Sequence, residues 1–278
     1  MLSRANRLRS EGKLQDAAEI YAQILEAQPD FRPAIRFLDS LNQNAPKSRD
    51  VAQVGFELAP FTFKLNFLPQ HIFEGLHHKL ENTRSGYVAG DTTSGQHLDI
   101  RRTHVIGEAG DVIGDAALED FYMSLSSFWR NEEHALRGID LDVVSLEAQA
   151  TLYTDGGFYK PHRDIGPNNT RRMTFVYYLF TDPRDFSGGD LLLYDTNIVD
   201  SVEPHQPRSD LRRPMFTTTY TRISPQANSL VIFPSEYFHE VSEMKSNNAV
   251  SGERYSLTGW LHTSPDKATM QVIRDARY

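Results

Sequence analysis

Residues 254–262 read RYSLTGWLH, and the alternation within them decides the fold. Successive side chains of a strand point to opposite faces, so Arg254, Ser256, Thr258 and Trp260 share one face. Tyr255, Leu257 and Leu261 share the other. An always-charged guanidinium on an inward face needs an anionic partner. That partner is either a carboxylate of the chain's own core or the carboxylate of a ligand, held bidentately. Working outward, similar short runs of β-branched and aromatic residues recur as AQATLYT (148–154), MTFVYYLF (173–180), DLLLY (190–194), FTTTYTR (216–222) and SLVIFP (229–234). Gly, Pro, Asn and Asp clusters separate them. Several short strands without intervening helices predict a mainly β domain, a sandwich or distorted jelly roll, with its core at residues 145–264.

Upstream the pattern is helical. PQHIFEGLHHKLENT (69–83) places Ile72, Phe73, Leu76 and Leu80 on one face, and LEDFYMSLSSFW (118–129) does the same with Leu118, Phe121, Leu125 and Phe128. Both are expected to support the sheet. Residues 5–29 read as two helical segments broken at Gly12. The second, with Ala17, Tyr21, Ile24 and a terminating Pro29, looks like the second helix of a tetratricopeptide repeat. PAIRFLDSL (33–41) starts another helix with proline in its first turn. Only about one such unit is present, whereas solenoids need three or more. The expectation is a TPR-like helical segment at 1–42 that packs on the main domain or on a second copy, with a peptide-binding module as the alternative. Residues 43–55 read as a linker, and 56–278 as the main domain.

Composition narrows the chemistry. The formal net charge of −8 argues against nucleic acid or an anionic membrane as the main partner. Cysteine is absent from the 278 residues, which excludes disulfides, thiolate catalysis and cysteine-bound metals. Any metal must then sit on His, Asp or Glu, a donor set suited to harder or borderline ions. No run reaches the roughly 20 apolar residues of a membrane span. The polar N-terminus is unlike a signal peptide, so a cytoplasmic location is expected.

FYKPHRDIG (158–166) sets His162 and Asp164 two apart, a spacing that lets a strand turn both toward one ion. A third ligand is required, and His239, closing SLVIFPSEYFHEV (229–241), is the best placed of the ten histidines. Two histidines and one aspartate make the facial triad of non-haem Fe(II) oxygenases, which leaves positions open for cosubstrate and oxygen.

Five stretches occur together and in order: LYTDGGFYKPHRD (152–164), VYYL (176–179), FSGGDLLLYD (186–195), NSLVIFPSEYFHEV (228–241) and GERYSLTGWLH (252–262). In this arrangement, residues 148–262 resemble the catalytic core of the 2-oxoglutarate and Fe(II)-dependent oxygenases, specifically the prolyl 4-hydroxylase-like branch. The resemblance implies a double-stranded β-helix with iron at one open end. It implies His162, Asp164 and His239 as iron ligands and Arg254 as the partner of the distal carboxylate of 2-oxoglutarate, assisted by the Tyr178 hydroxyl. Tyr153 would line the same pocket, with Thr258 and Trp260 flanking iron and cosubstrate and Ser256, on the same strand face, counted with the cosubstrate residues. Fe(II), 2-oxoglutarate and O2 are the implied cofactors, with ascorbate as a candidate reductant. Manganese and cobalt suit the same ligands, and iron comes from the resemblance alone. Asp164 favours hydroxylation, since related halogenases replace this carboxylate with Gly or Ala.

One interval departs from the pattern. SEMKSNNAVSG (242–252) puts Arg254 further beyond His239 than is usual, leaving Lys245 as the fallback anion partner. Arg102, in SGQHLDIRRTHVIGE (94–108), resembles an arginine near the substrate mouth of relatives, or else belongs to a loop of solvated charges. The insertion at 195–220 is either a solvated loop or a flap, and the glycines at 188–189 read as a bend without a ligand role. The expected substrate is a prolyl residue in a peptide or protein. A small molecule, such as a free amino acid or natural product, is the alternative, and a catalytically silent binding module is the third reading.

Overall fold

The structure is a computed structural model that describes residues 1–41, 56–92, 95–106, 115–131, 135–136, 143–165, 170–197, 216–247 and 252–264. The expected linker, and most of the 195–220 insertion, lie outside the described residues. Among the described residues, five α-helices precede the strand-rich half: α1 (Leu2–Ser10), α2 (Leu14–Ala27), α3 (Arg32–Ser40), α4 (Gln70–Asn82) and α5 (Asp115–Asn131).

The strands form two principal antiparallel sheets. Short β1 (Phe56–Glu57), β4 (Arg101–Arg102), β7 (Phe158–His162), β10 (Leu191–Asn197), β11 (Phe216–Ile223) and β13 (His239–Val241) make the smaller sheet. Its spatial order is β1-β10-β13-β7-β4, with β11 on the other edge of β10. The larger sheet runs β2 (Thr62–Lys64), β12 (Ser229–Pro234), β8 (Arg171–Leu179), β15 (Arg254–His262), β6 (Ser145–Tyr153), β5 (His104–Ile106) and β3 (Val88–Ala89). A two-stranded ladder joins β9 (Phe186–Ser187) to β14 (Lys245–Ser246). The result is the double-stranded β-helix expected from the sequence.

Strand alternation divides the core. Met173, Phe175, Tyr177 and Leu179 of β8, with Tyr255, Leu257 and Leu261 of β15, face the apolar stripes of α4 and α5, including Phe73, Leu76, Phe121 and Leu125. The intervening Val176 and Tyr178 turn inward to meet Leu191 and Leu193 of β10. That inner core continues into the N-terminal helices, where Ala17, Tyr21 and Phe37 are completely buried. Burying a side chain such as Phe37 contributes about 1.5–3 kcal/mol.

The three N-terminal helices are docked on the β domain by charge as well as by apolar packing. Gly12, at φ +78°, turns the chain between α1 and α2 in a conformation that glycine adopts without steric cost. Arg9 of α1 reaches Asp195 of β10 in a pair from which both side chains are wholly withdrawn from solvent. Arg36 of α3 pairs with Glu57 and donates to the Tyr237 hydroxyl (3.3 Å), two residues before His239. Among the described residues, no helix is long and apolar enough to cross a membrane.

Candidate active site

β7 and β13 are neighbours, and their register sets His162 directly opposite His239. Opposed residues on an antiparallel pair bring their side chains together, so two histidines 77 positions apart become one cluster. Asp164 follows β7, its backbone N–H donating to the Ser235 carbonyl (3.1 Å). The three residues offer ligand atoms that all lie within 4.8 Å of one another. Asp164 Oδ2 is 3.5 Å from His239 Nε2, and Oδ1 is 3.8 Å from His162 Nε2.

Neighbouring groups aim these side chains. His162 Nδ1 lies 2.8 Å from the Lys160 carbonyl, and His239 Nδ1 lies 3.1 Å from that of Tyr237. A carbonyl only accepts, so each Nδ1 carries a proton and each Nε2 is turned toward the cluster. Burial, reinforced by His239, pushes His162 down to about 3 despite Asp164, which keeps the imidazole neutral. For Asp164, burial favours the neutral acid, but His239, His162, Thr174 and the Trp260 indole outweigh it and hold the carboxyl below its ordinary range. Thr174 Oγ1 donates to Asp164 Oδ2 (2.7 Å) and lies 3.0 Å from Ser235 Oγ. Two imidazoles and one carboxylate, preoriented and converging, are a competent divalent-metal donor set.

From this cluster a cavity of about 470 Å³ leads to Arg254. The guanidinium is 2% exposed, and Nη1 donates to the Gly189 carbonyl (2.5 Å). Its carbon sits 4.2 Å from the Tyr153 ring centroid and 5.3 Å from that of Tyr178. Nε has no hydrogen-bond partner, nor do the buried Ser256 Oγ and Thr151 Oγ1, which face each other across β15 and β6. Among the described residues, no carboxylate pairs with Arg254. Burial pushes the Tyr178 hydroxyl up to about 12 and raises Tyr153 as well, so both remain protonated donors.

Residues 148–262 match the family described as the 2OG-Fe(II) oxygenase superfamily. That segment resembles this family over less than half of the chain. A Synechocystis protein named as an uncharacterized PKHD-type hydroxylase is 32% identical over 123 residues, a match spanning 43% of this chain and 37% of that one. Two solved structures share the fold. A prolyl hydroxylase from Trichoplax adhaerens, in complex with a hypoxia inducible factor peptide fragment, aligns at TM-score 0.56 and 20% identity, covering 75% of this chain and 86% of that one. A Pseudomonas putida prolyl-4-hydroxylase aligns at TM-score 0.52 and 22% identity, covering 73% and 93%.

The double-stranded β-helix places the residues singled out from sequence as follows. His162, Asp164, His239, Arg254, Tyr178, Tyr153, Thr258 and Trp260 all line one cavity. Ser256 shares the inward face but is fully buried behind it. Lys245 is exposed on β14 and lies away from the cavity, so it does not compete with Arg254. Arg102 is also exposed, stacked on Phe158 and near the Gly156 carbonyl, while its neighbour Arg101 lines the cavity instead. The Gly188–Gly189 bend, with φ of +68° and +65°, does more than turn the sheet, because it presents the carbonyl that Arg254 uses. Thr174 had no signal of its own. It sits within an apolar strand, and only the alternation that turns Val176 and Tyr178 inward would have found it.

Proposed function

We propose that the chain is an Fe(II)- and 2-oxoglutarate-dependent dioxygenase that hydroxylates an unactivated C–H bond, with a prolyl residue of a peptide or protein as its target. One observation carries this reading: a converging His-His-Asp cluster shares one cavity with a buried guanidinium that, among the described residues, has no carboxylate partner. A buried charge left unpaired is strongly unfavourable, so a position for an anion is built into the fold. A catalytically silent module would have no use for both features together.

In this reading His162, Asp164 and His239 hold the metal through one carboxylate and two Nε2 atoms, and Arg254 receives the distal carboxylate of 2-oxoglutarate with Tyr178 donating beside it. Bound together, Fe(II), 2-oxoglutarate and O2 supply the oxidation, and succinate and CO2 are released. The chain's own contribution is positional. Lys160 and Tyr237 carbonyls fix the imidazoles, Thr174 fixes Asp164, and Leu191, Val241 and Val176 form an apolar wall that keeps the cosubstrate dry. The prolyl target is supported by the two prolyl hydroxylases that share the fold, one of them with a peptide bound.

The test is anaerobic addition of Fe(II) and then 2-oxoglutarate, followed by the weak visible charge-transfer band of the chelate. The band should form with the native chain and be lost in Asp164→Ala, which should also lose hydroxylation of proline-containing peptides. Iron binding without the band would remove 2-oxoglutarate from the assignment, and hydroxylation surviving in Asp164→Ala would remove the triad.

A further inference from the structure

We propose that the mouth of this cavity recognises a carboxylate on the substrate, with Arg101 as the residue that grips it. The proposal rests on the oxygenase reading above and deepens it by naming a substrate class. Beyond the metal cluster and Arg254, the cavity wall carries three arginines, Arg101, Arg163 and Arg171, against two carboxylates, Asp91 and Glu147. Arg171 is already neutralised, since Nη2 lies 2.9 Å from Glu147 Oε1 and the guanidinium stacks on Trp260 at 3.5 Å. Arg163 rests over the Phe238 ring at 5.0 Å, and among the described residues it makes no ion pair.

Arg101 is held in a slot. Its Nη1 donates to the Asp91 backbone carbonyl (2.6 Å), and its Nε donates to Thr103 Oγ1 (3.2 Å). Its carbon lies 4.8 Å from the centroid of Tyr159, whose ring in turn stacks on His162 at 3.5 Å. The other wall of the slot is Gly90, where a Cβ would come within 2.8 Å of Arg101 Nε and Thr103 Oγ1. All these partners are neutral, and Asp91 offers its carbonyl while making no ion pair with the guanidinium. The group is therefore fixed in position beside the metal cluster with its charge unspent. A planar fork of donors in that state matches a carboxylate, and on a chain of net charge −8 such a mouth is a local exception. The carboxylate could belong to an acidic residue flanking the target in a peptide or to a free amino acid, and the chemistry at Arg101 is the same.

The experiment measures anisotropy of fluorescein-labelled proline-containing peptides on the full chain, both metal-free and loaded anaerobically with Fe(II) and 2-oxoglutarate. Peptides with Asp or Glu beside the proline are compared with their Asn or Gln counterparts. The acidic forms should bind about tenfold or more tightly, the worth of a hydrogen bond to a charged group. Arg101→Gln should abolish that preference and Arg101→Lys should retain part of it. Gly90→Ala should weaken it by displacing the guanidinium without removing its charge. Arg130→Gln, an equal charge change at an exposed position of α5 outside the cavity, should leave it intact. Unlabelled N-acetylglutamate separates the sources: displacement that depends on Arg101 points to a small carboxylate, and its absence to an acidic peptide. Equal binding of acidic and amide peptides by the native chain would overturn the proposal, as would Arg101→Gln weakening 2-oxoglutarate rather than peptide. If iron and 2-oxoglutarate fail to bind while the metal-free chain keeps an Arg101-dependent preference, the oxygenase reading falls and this one stands.

Discussion

Arg9 and Arg254 are both arginines with almost no exposed surface, at 0% and 2%, and the fold treats them in opposite ways. Arg9 enters the β domain from α1 and meets Asp195, with Nη1 donating to Oδ1 (2.7 Å) and Nη2 to Oδ2. Thr221 accepts a further bond at 3.0 Å, and Thr219 completes the carboxylate's shell at 2.6 Å. Arg254 receives one carbonyl and two aromatic rings. A carboxylate stands beside it in the chain, but Glu253 is taken by Arg84 and the Tyr255 hydroxyl on the far face of the strand. Nε lacks a hydrogen-bond partner in both, so the difference lies in the charge: a buried guanidinium that holds a carboxylate is structure, and one in a cavity that holds none among the described residues is built for a ligand.

The largest expected effect comes from the paired arginine. Arg9→Met strands Asp195 in the interior and should lower unfolding free energy by about 3–5 kcal/mol, measured by urea denaturation. Arg9→Met combined with Asp195→Leu should recover most of that loss, because no uncompensated charge remains. A loss below about 1 kcal/mol, the range of exposed pairs, would mean that the helices are not anchored through this pair.

Arg254→Met should behave in the reverse manner. Removing an unpaired buried charge should leave stability unchanged or raise it, while affinity for 2-oxoglutarate falls by about 2–5 kcal/mol. Isothermal titration under anaerobic Fe(II) reads the second quantity and thermal unfolding the first. If Arg254→Met unfolds as readily as Arg9→Met, both arginines are structural and the contrast collapses.

A smaller effect sharpens the same division. Fe(II) with 2-oxoglutarate at about 100 times its Kd should stabilise the native chain by about 2.7 kcal/mol, seen as a rise in Tm. The rise should persist in Arg9→Met from a lower starting Tm, and should shrink to that of Fe(II) alone in Arg254→Met. A full cosubstrate shift in Arg254→Met would place the anion elsewhere in the cavity.

How much of this could be read from the chain depended on whether period and spacing carried it. The inward face of Arg254, Ser256, Thr258 and Trp260 follows from strand alternation, and the approach of His162 and Asp164 from a two-residue spacing. His239 was legible because it closes an apolar run. Arg9 was not, since its partner lies 186 positions away and its own helix reads as polar and exposed. That Arg101 rather than Arg102 lines the cavity could not be read from the chain, because β4 is two residues long. Its register comes from pairing with Tyr159 and Phe158 of β7, and no periodicity inside so short a strand could announce it. The Gly189 carbonyl was invisible for a simpler reason, since sequence patterns describe side chains.

The exposed arginine is the control for both buried ones. Arg84 holds Glu253 in a two-pronged pair, but its own side chain is 59% exposed, so solvent screens the attraction. Burial alone would raise the Glu253 acid, yet the bonds from Arg84 and Tyr255 outweigh it and hold the group below its ordinary 4.5. A carboxyl whose folded value is depressed contributes stability above its unfolded value and loses it as pH falls through the folded one. Arg84→Ala should therefore cost no more than about 1 kcal/mol at neutral pH, with the difference from the native chain closing as pH falls through the depressed folded value of Glu253. Its affinity for 2-oxoglutarate should match that of the native chain. A fall in that affinity would show the released Glu253 competing for Arg254, and strand alternation would then be too weak a barrier to keep the guanidinium free for a ligand.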